Sequence, residues 1–270
     1  MALYELKDKY VLITGASSGI GLELAKVFAA QGAHLALGCL PAEEAALLKL
    51  KDELEQYHGV QVWPFPLDLA EPGAPRKLYD QVTAATPRID VLVNNAGIMV
   101  YGEFHQVAME RHLRVLKVNA EVYTALMNLF LPDMVNRKHG RILNISSAAA
   151  FQPTCHHAVY GATKAYVQSL SEAVDAEVRG TGVRVQTVNP SYTATPLLEH
   201  DFPKKLWWFS VSGLSDPADI AQKTVDAFVR GRAVFIPGWK NFLVASFLPR
   251  LTPRRLASFI SCQVLKIRKG

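Results

Sequence analysis

Short apolar runs alternate with longer stretches of helical periodicity along most of this chain. Tyr10–Thr14, Ala33–Leu37, Val60–Phe65, Ile89–Val93, Arg141–Ile145 and Val183–Val188 are rich in Val, Ile and Leu. They show little polar alternation, which is the pattern of strands buried on both faces. Ala233–Ile236 reads as a seventh. Between them, Gly21–Gln31, Ala42–Tyr57, Pro75–Ala85, Val107–Asn136, Tyr160–Arg179 and Pro217–Arg230 place apolar residues three and four apart, as helices do. Asp216-Pro217 is a helix start, with Asp as cap and Pro in the first turn. Strand–helix alternation with short links requires parallel strands and right-handed crossovers. The expected fold is therefore α/β, a doubly wound parallel sheet of about seven strands with helices on both faces.

The rhythm has no internal repeat or linker, so a single domain over residues 1–270 is expected. Residues 194–215 and 238–270 fall outside it. Ligands of such sheets bind beyond the carboxyl ends of the strands, which suits 194–215 to covering a substrate.

Composition narrows the class. Half the residues are hydrophobic and a fifth charged, so a sizeable core is expected and extensive disorder is not. The net charge of +5 is uneven. Residues 240–270 hold Lys240, Arg250, Arg254, Arg255, Lys266, Arg268 and Lys269 and no acid, leaving 22 basic against 24 acidic residues before them. A basic tail, without a protein-wide basic surface, argues against nucleic acid as a partner. Cys39, Cys155 and Cys262 are odd in number and far apart, which suggests neither a disulfide framework nor a zinc cluster and fits a reducing compartment. The charged N-terminus shows no signal peptide, and no run of 18 apolar residues exists, so a cytoplasmic protein without a spanning helix is expected.

The first strand ends in Thr14-Gly15-Ala16-Ser17-Ser18-Gly19-Ile20-Gly21, with a helix following. Glycines permit a tight turn and close backbone approach, and the helix N-terminus favours a pyrophosphate. The spacing departs from G-x-G-x-x-G and resembles the T-G-x-x-x-G-x-G of the non-extended short-chain dehydrogenase/reductase family. Further motifs of that family recur in order: Asp68 after the third strand, Asn94-Asn95-Ala96-Gly97 ending the fourth, Asn119 in the next helix, Ser146-Ser147 ending the fifth, Tyr160-Gly-Ala-Thr-Lys164, and Asn189-Pro190 ending the sixth. Each alone is weak. Their ordered concurrence over residues 8–236 is specific.

The resemblance implies a Rossmann-like, NAD(P)-binding oxidoreductase. It assigns cofactor contacts to Gly15, Ser17, Ser18, Gly19, Ile20 and Gly21 at the phosphates, to Asp68 and Leu69 at the adenine, and to Asn95, Ala96 and Gly97 at the adenine-side ribose. Pro190, Thr193 and Thr195 would line the nicotinamide end, and Tyr160 and Lys164 would also meet cofactor. Asn94 and Asp90 are read as structural. After Pro190 the family has Gly where this chain has Ser191, which puts the local turn in question.

Tyr160 and Lys164, four apart on a helix, share a face. A tyrosine of pKa about 10 is a poor base near neutrality, and a neighbouring ammonium should stabilise its phenolate. Ser147, 13 residues before Tyr160 as in the family, would hold the substrate oxygen, with Ser146 the competing candidate. Asn119 resembles the family's helix-kinking asparagine, which anchors a proton-relay water. A dinucleotide-binding sensor without turnover is the other reading, and it does not call for all four residues together.

Leu37-Gly38-Cys39-Leu40-Pro41, at the second strand's end, holds neither the acid that binds a free ribose 2′-hydroxyl nor an arginine for a 2′-phosphate. With no acid to repel phosphate, the expectation tips from NAD(H) toward NADP(H). Cys155-His156-His157 sits too tightly on one loop to converge on a metal and is read as pocket wall. Leu197, Leu198, Phe202 and Trp207-Trp208-Phe209 suggest a lipophilic small-molecule substrate. In the tail, Leu256, Phe259, Ile260, Val264 and Ile267 fall at helical spacing among cations, fitting either an anionic membrane surface or a partner subunit. The resemblance also implies a homo-oligomer joined through the helices at 107–136 and 160–179.

Overall fold

The computed structural model describes residues 3–199, 213–247 and 251–265. In chain order its main elements are β1 (Tyr10–Thr14), α1 (Gly19–Ala30), β2 (His34–Cys39), α2 (Glu44–His58), β3 (Val62–Pro66), α3 (Ala74–Ala85), β4 (Val91–Asn94), α4 (Met109–Leu116) and α5 (Val122–Asn136). They continue as β5 (Gly140–Ile145), α6 (Ala158–Glu177), β6 (Val183–Val188), α7 (Pro196–Glu199), α8 (Pro217–Val229), β7 (Val234–Phe235), α9 (Trp239–Phe242) and α10 (Arg254–Leu265).

The strands form one sheet in the order β3-β2-β1-β4-β5-β6-β7, and every pairing is parallel. Successive side chains of a strand point to opposite faces. In β1, Val11 and Ile13 accordingly join Leu24, Phe28, Leu47 and Phe228 on one face. Leu12 joins Leu78, Val82, Leu126 and Phe130 on the other. Val91 and Val93 against Leu92 repeat the division in β4. Helices α1, α2 and α8 thus cover one face and α3 and α5 the other, which is why the strand sequences read as unbroken apolar runs. The chain reverses its direction of travel across the sheet between β1 and β4, which places a crevice at their carboxyl ends.

Asp216 caps α8 as expected, its carboxylate accepting from the Ala218 amide at 3.1 Å. The helix expected over 107–136 is divided: a π-helical turn at Lys117–Glu121, carrying Asn119, separates α4 from α5. Most of the 194–215 segment, with Phe202 and Trp207-Trp208-Phe209, lies outside the described residues. Ile267 of the tail does too. No helix among the described residues is long and apolar enough to cross a membrane.

The cysteine reading is corrected. Cys155 and Cys262 are joined as a disulfide, with Cα atoms 5.0 Å apart, across 107 residues of sequence. That separation hides the pair from any reading of local spacing, and the reducing-compartment expectation loses its support. Cys39 remains a free, buried thiol.

Candidate active site

A cavity of about 1290 Å³ opens at the switch point between β1 and β4. At one end lies the glycine-rich turn. Gly15 takes a positive φ of 68°, bringing the turn under β4. Thr14 Oγ1 accepts from the amides of Asn95 and Ala96 at 3.0 and 3.1 Å, while Asn95 Nδ2 donates to the carbonyls of Thr14 and Gly15 at 2.9 and 3.0 Å. Asn95 therefore welds β4 to the turn as well as bordering the cavity. Ser18 precedes α1 without capping it by its side chain, so the first amides of α1 are left for a ligand. Gly15, Ser17, Ser18, Gly19 and Ile20 line the cavity.

Gly21 is a correction: it does not line the cavity. A Cβ there would collide with the Gly15 carbonyl oxygen and the Asn95 amide, so this glycine serves close helix–turn packing. Asp68, Leu69, Ala96, Gly97, Pro190, Thr193 and Thr195 all reach the cavity wall. Burial works to raise the Asp68 carboxyl, but hydrogen bonds from the Ala70 amide and from Arg114 hold it below the usual range. Ser191 has no positive φ, so its turn accommodates serine.

At the other end Tyr160 and Lys164 lie on one face of α6, with Lys164 Nζ 5.7 Å from the Tyr160 ring centroid. Both are buried and both line the cavity. Lys164 Nζ donates to the Ile145 carbonyl at 2.8 Å, which ties α6 to the end of β5. Ser147 hydrogen-bonds Tyr160 and caps a following 3-10 turn, its Oγ accepting from Ala149 N at 3.1 Å. Ser146 is committed elsewhere, donating to the Lys164 carbonyl at 2.8 Å. The geometry thus favours Ser147.

Asn119 is brought near but not into the cavity. It is fully buried, accepts from Ile98 N at 2.9 Å, and donates to Ile98 O at 2.8 Å and Thr163 Oγ1 at 3.3 Å. It fixes the segment after β4 against α6. Its place is that of a positioning residue.

The expectation of an acidified phenol is also corrected. Burial raises the Tyr160 pKa and outweighs the opposing hydrogen bond from Ser147. Burial also lowers Lys164 to about 7. Removing both groups from water penalises the phenolate and the ammonium alike, so the neutral forms are favoured.

Met99 and Tyr192, which the sequence did not single out, pack with Leu198, which it did, at the substrate end, and His157 stands in the pocket wall as expected. His157 is held neutral, its pKa lowered to about 4 by burial and by His156. No group of three metal-binding side chains occurs among the described residues. Trp239, Ala257 and Ile260 form the outer wall, with the disulfide fastening α10 beside His157. Glu43 reaches the glycine turn, its carboxylate accepting from Ser17 Oγ at 2.7 Å.

A switch-point cleft with an uncapped helix N-terminus at one end and a buried Ser–Tyr–Lys group at the other defines a dinucleotide-dependent oxidoreductase. Comparison with known proteins agrees. A family profile described as short chain dehydrogenase matches residues 9–206, and the chain belongs to that family of NAD(P)-dependent enzymes. A dehydrogenase/reductase SDR family protein 7-like protein of Anopheles gambiae is 35% identical over 273 positions, covering 97% of this chain and 84% of the relative. A fatty acyl-CoA reductase of Acinetobacter baylyi is 34% identical over 227 positions, covering 83% and 74%. The solved short-chain dehydrogenase of Sphingobium yanoikuyae, in complex with NADPH, superposes with a TM-score of 0.80 at 29% identity, covering 97% of each chain.

Proposed function

We propose that this enzyme reduces a carbonyl group, or oxidises the corresponding secondary alcohol, on a lipophilic small molecule, with Tyr160, Ser147 and Lys164 as catalytic residues. The observation that carries the proposal is the buried Ser147–Tyr160–Lys164 group on the wall of a cleft that begins at an uncapped helix N-terminus. Bound NAD(P)(H) supplies or accepts the hydride. Gly15, Ser17, Ser18, Gly19 and Ile20 hold its phosphates, Asp68, Leu69, Asn95, Ala96 and Gly97 border its adenosine half, and Pro190, Thr193 and Thr195 its nicotinamide half.

In reduction, the Ser147 hydroxyl donates to the carbonyl oxygen, and Tyr160 Oη delivers a proton as negative charge develops there. In oxidation Tyr160 Oη takes the hydroxyl proton. Lys164, which titrates near neutrality, replenishes or relieves that proton. Asn119 keeps the wall around Gly97 in register and touches no reacting atom.

The apolar wall of Met99, Tyr192, Leu198 and Ile260 favours a lipophilic substrate. The 194–215 segment serves as its cover and 240–270 as a C-terminal extension of the one domain. Replacing Tyr160 by Phe tests the assignment. Turnover with a panel of lipophilic ketones should fall at least a thousandfold, the scale of lost acid–base catalysis, while dinucleotide affinity stays within a few-fold. Tight dinucleotide binding with no turnover by the unaltered chain would favour a sensor.

The same extension is proposed to rest on an anionic membrane surface. Leu256 and Phe259 of α10 are half exposed or more, as is Leu251, and none of the three lines the cavity. The small residues Ala257 and Ser261 are the ones turned inward. An outward apolar stripe on a segment with seven cations and no acid suits anionic lipid. Vesicles rich in phosphatidylserine should sediment the full chain and not a 1–239 truncation; equal sedimentation would remove the idea. A homo-oligomer is proposed through the face bearing Met109, Leu113, Leu116 and Tyr166, all exposed on α4 and α6.

A further inference from the structure

The wall that α10 contributes to the cavity carries a hydroxyl that the described part of the chain leaves unused. Ser261 lies one turn after Ala257, and both are buried and line the cavity. Ser261 is only 5% exposed, and its Oγ has no hydrogen-bond partner among the described residues. A serine within a helix often returns its hydroxyl to the carbonyl four residues back, which here belongs to Ala257. Ser261 does not. Other polar side chains of the cavity are engaged: Thr154 donates to the His157 carbonyl at 3.3 Å, and Asn241 to the Pro237 carbonyl at 2.9 Å. A buried hydroxyl left unpaired is costly, and its persistence on a cavity wall points to a bound group that completes it.

The position of this hydroxyl is fixed. Cys262, the next residue, is joined to Cys155 on the loop that leads through His157 to Tyr160. The His157 ring centroid lies 6.0 Å from that of Tyr160, so the link sets Ser261 at the substrate end of the cavity. We infer that Ser261 holds the substrate at a second point, pairing with a neutral oxygen that the substrate carries at a distance from its reacting carbon. The inference rests on the oxidoreductase reading above and narrows its substrate class to lipophilic molecules with two oxygen functions. A hydroxyl both donates and accepts, so the second oxygen can belong to an alcohol or a carbonyl. A carboxylate does not suit, because its charge would be buried against a neutral group, and Lys240 of the same outer wall is itself exposed. The hydrocarbon between the two oxygens would meet Met99, Leu198 and Ile260.

The probes are linear methyl ketones of increasing length, each paired with its ω-hydroxy and ω-carboxy counterparts. Reduction is followed with the unaltered full chain and with Ser261→Ala, supplying NADH and NADPH in turn. At the chain length that spans the two points, the unaltered chain should favour the ω-hydroxy ketone about tenfold in kcat/KM, the scale of one hydrogen bond in a desolvated site. The gain should appear as a lower KM with kcat unchanged, since the contact is made equally before and during hydride transfer. Ser261→Ala should erase this preference while plain ketones keep their rates within about twofold. Without substrate it should unfold at the same temperature as the unaltered chain or above it, because alanine leaves no orphaned hydroxyl. A clear fall in that temperature would reveal a partner within the protein and overturn the inference. A preference absent at every length, unmoved by Ser261→Ala, or surpassed by the ω-carboxy ketone would also overturn it, leaving the oxidoreductase reading intact. Turnover of no ketone with either dinucleotide would overturn both.

Discussion

Replacing Lys164 by Met should flatten the pH dependence of stability between pH 7.0 and 8.5. In the folded chain burial brings the amine to about 7, against an ordinary value of 10.5. Between those values the unfolded chain holds one more proton than the folded chain, so stability rises with pH, with a limiting slope of about 1.4 kcal/mol per unit. The folded amine is still half protonated at pH 7, so the gain from pH 7.0 to 8.5 comes to about 1.6 kcal/mol. With a urea dependence of about 3 kcal/mol per molar, the unfolding midpoint should climb by about 0.5 M.

The comparison with Lys164→Met isolates this group. Cys39, whose pKa burial raises, acts in the opposite direction from about pH 8 upward, and the buried tyrosines from about pH 9, where their unfolded forms begin to ionise. His157 and His139, whose pKa values burial lowers, act below about pH 7.5, and all of these groups are common to both chains. Tryptophan fluorescence in urea, at both pH values and without dinucleotide, reads the midpoint. A wild-type midpoint that stays put, or a Lys164→Met midpoint that climbs equally, would show that the amine keeps its charge when folded. The proton role proposed for it would then fail.

Gly21→Ala should cost about 3 kcal/mol, because the new Cβ meets backbone at Gly15 and the Asn95 amide, which two hydrogen bonds hold in place. A fall in Tm of about 8 °C follows for a chain of this size, and a fall under 2 °C would mean the turn yields freely. Peptide mapping without reductant should recover Cys155 linked to Cys262, and either reduction or Cys262→Ser should speed tryptic cleavage at Arg254 and Arg255 at least tenfold by releasing α10. Two freely alkylated thiols in the native, unreduced protein would refute the link.

The parts of the fold legible in the sequence are those that local pattern determines. A strand flanked by helices on both faces must be apolar throughout, and β1 and β6 are found at their expected limits. The Asp216 cap likewise depends only on its neighbours. The break at Lys117–Glu121 was not legible, because a π turn adds one residue to a helix without changing the type of residue that composes it. The Asn119 side chain that occupies the break takes its partners from Ile98 and Thr163, 21 and 44 residues away. Glu43 and the Cys155–Cys262 link escaped for the same reason, since each depends on a tertiary approach that spacing does not encode.

The site shows where a spacing rule stops being physics. Tyr160 and Lys164, four apart, do share a face, and from that alone the ammonium should acidify the phenol. The rule fixes direction along a helix but says nothing about solvent. Once β5 and the Ile145 carbonyl enclose the pair, desolvation acts on both members and in opposite senses, driving the phenol up and the amine down. The resting pair is then a protonated phenol beside an amine that titrates near neutrality. In that state the phenol already carries the proton that carbonyl reduction requires, whereas alcohol oxidation must first remove it. Burial, which periodicity cannot report at a single residue, therefore tightens the phenol's hold on its proton and loosens the amine's.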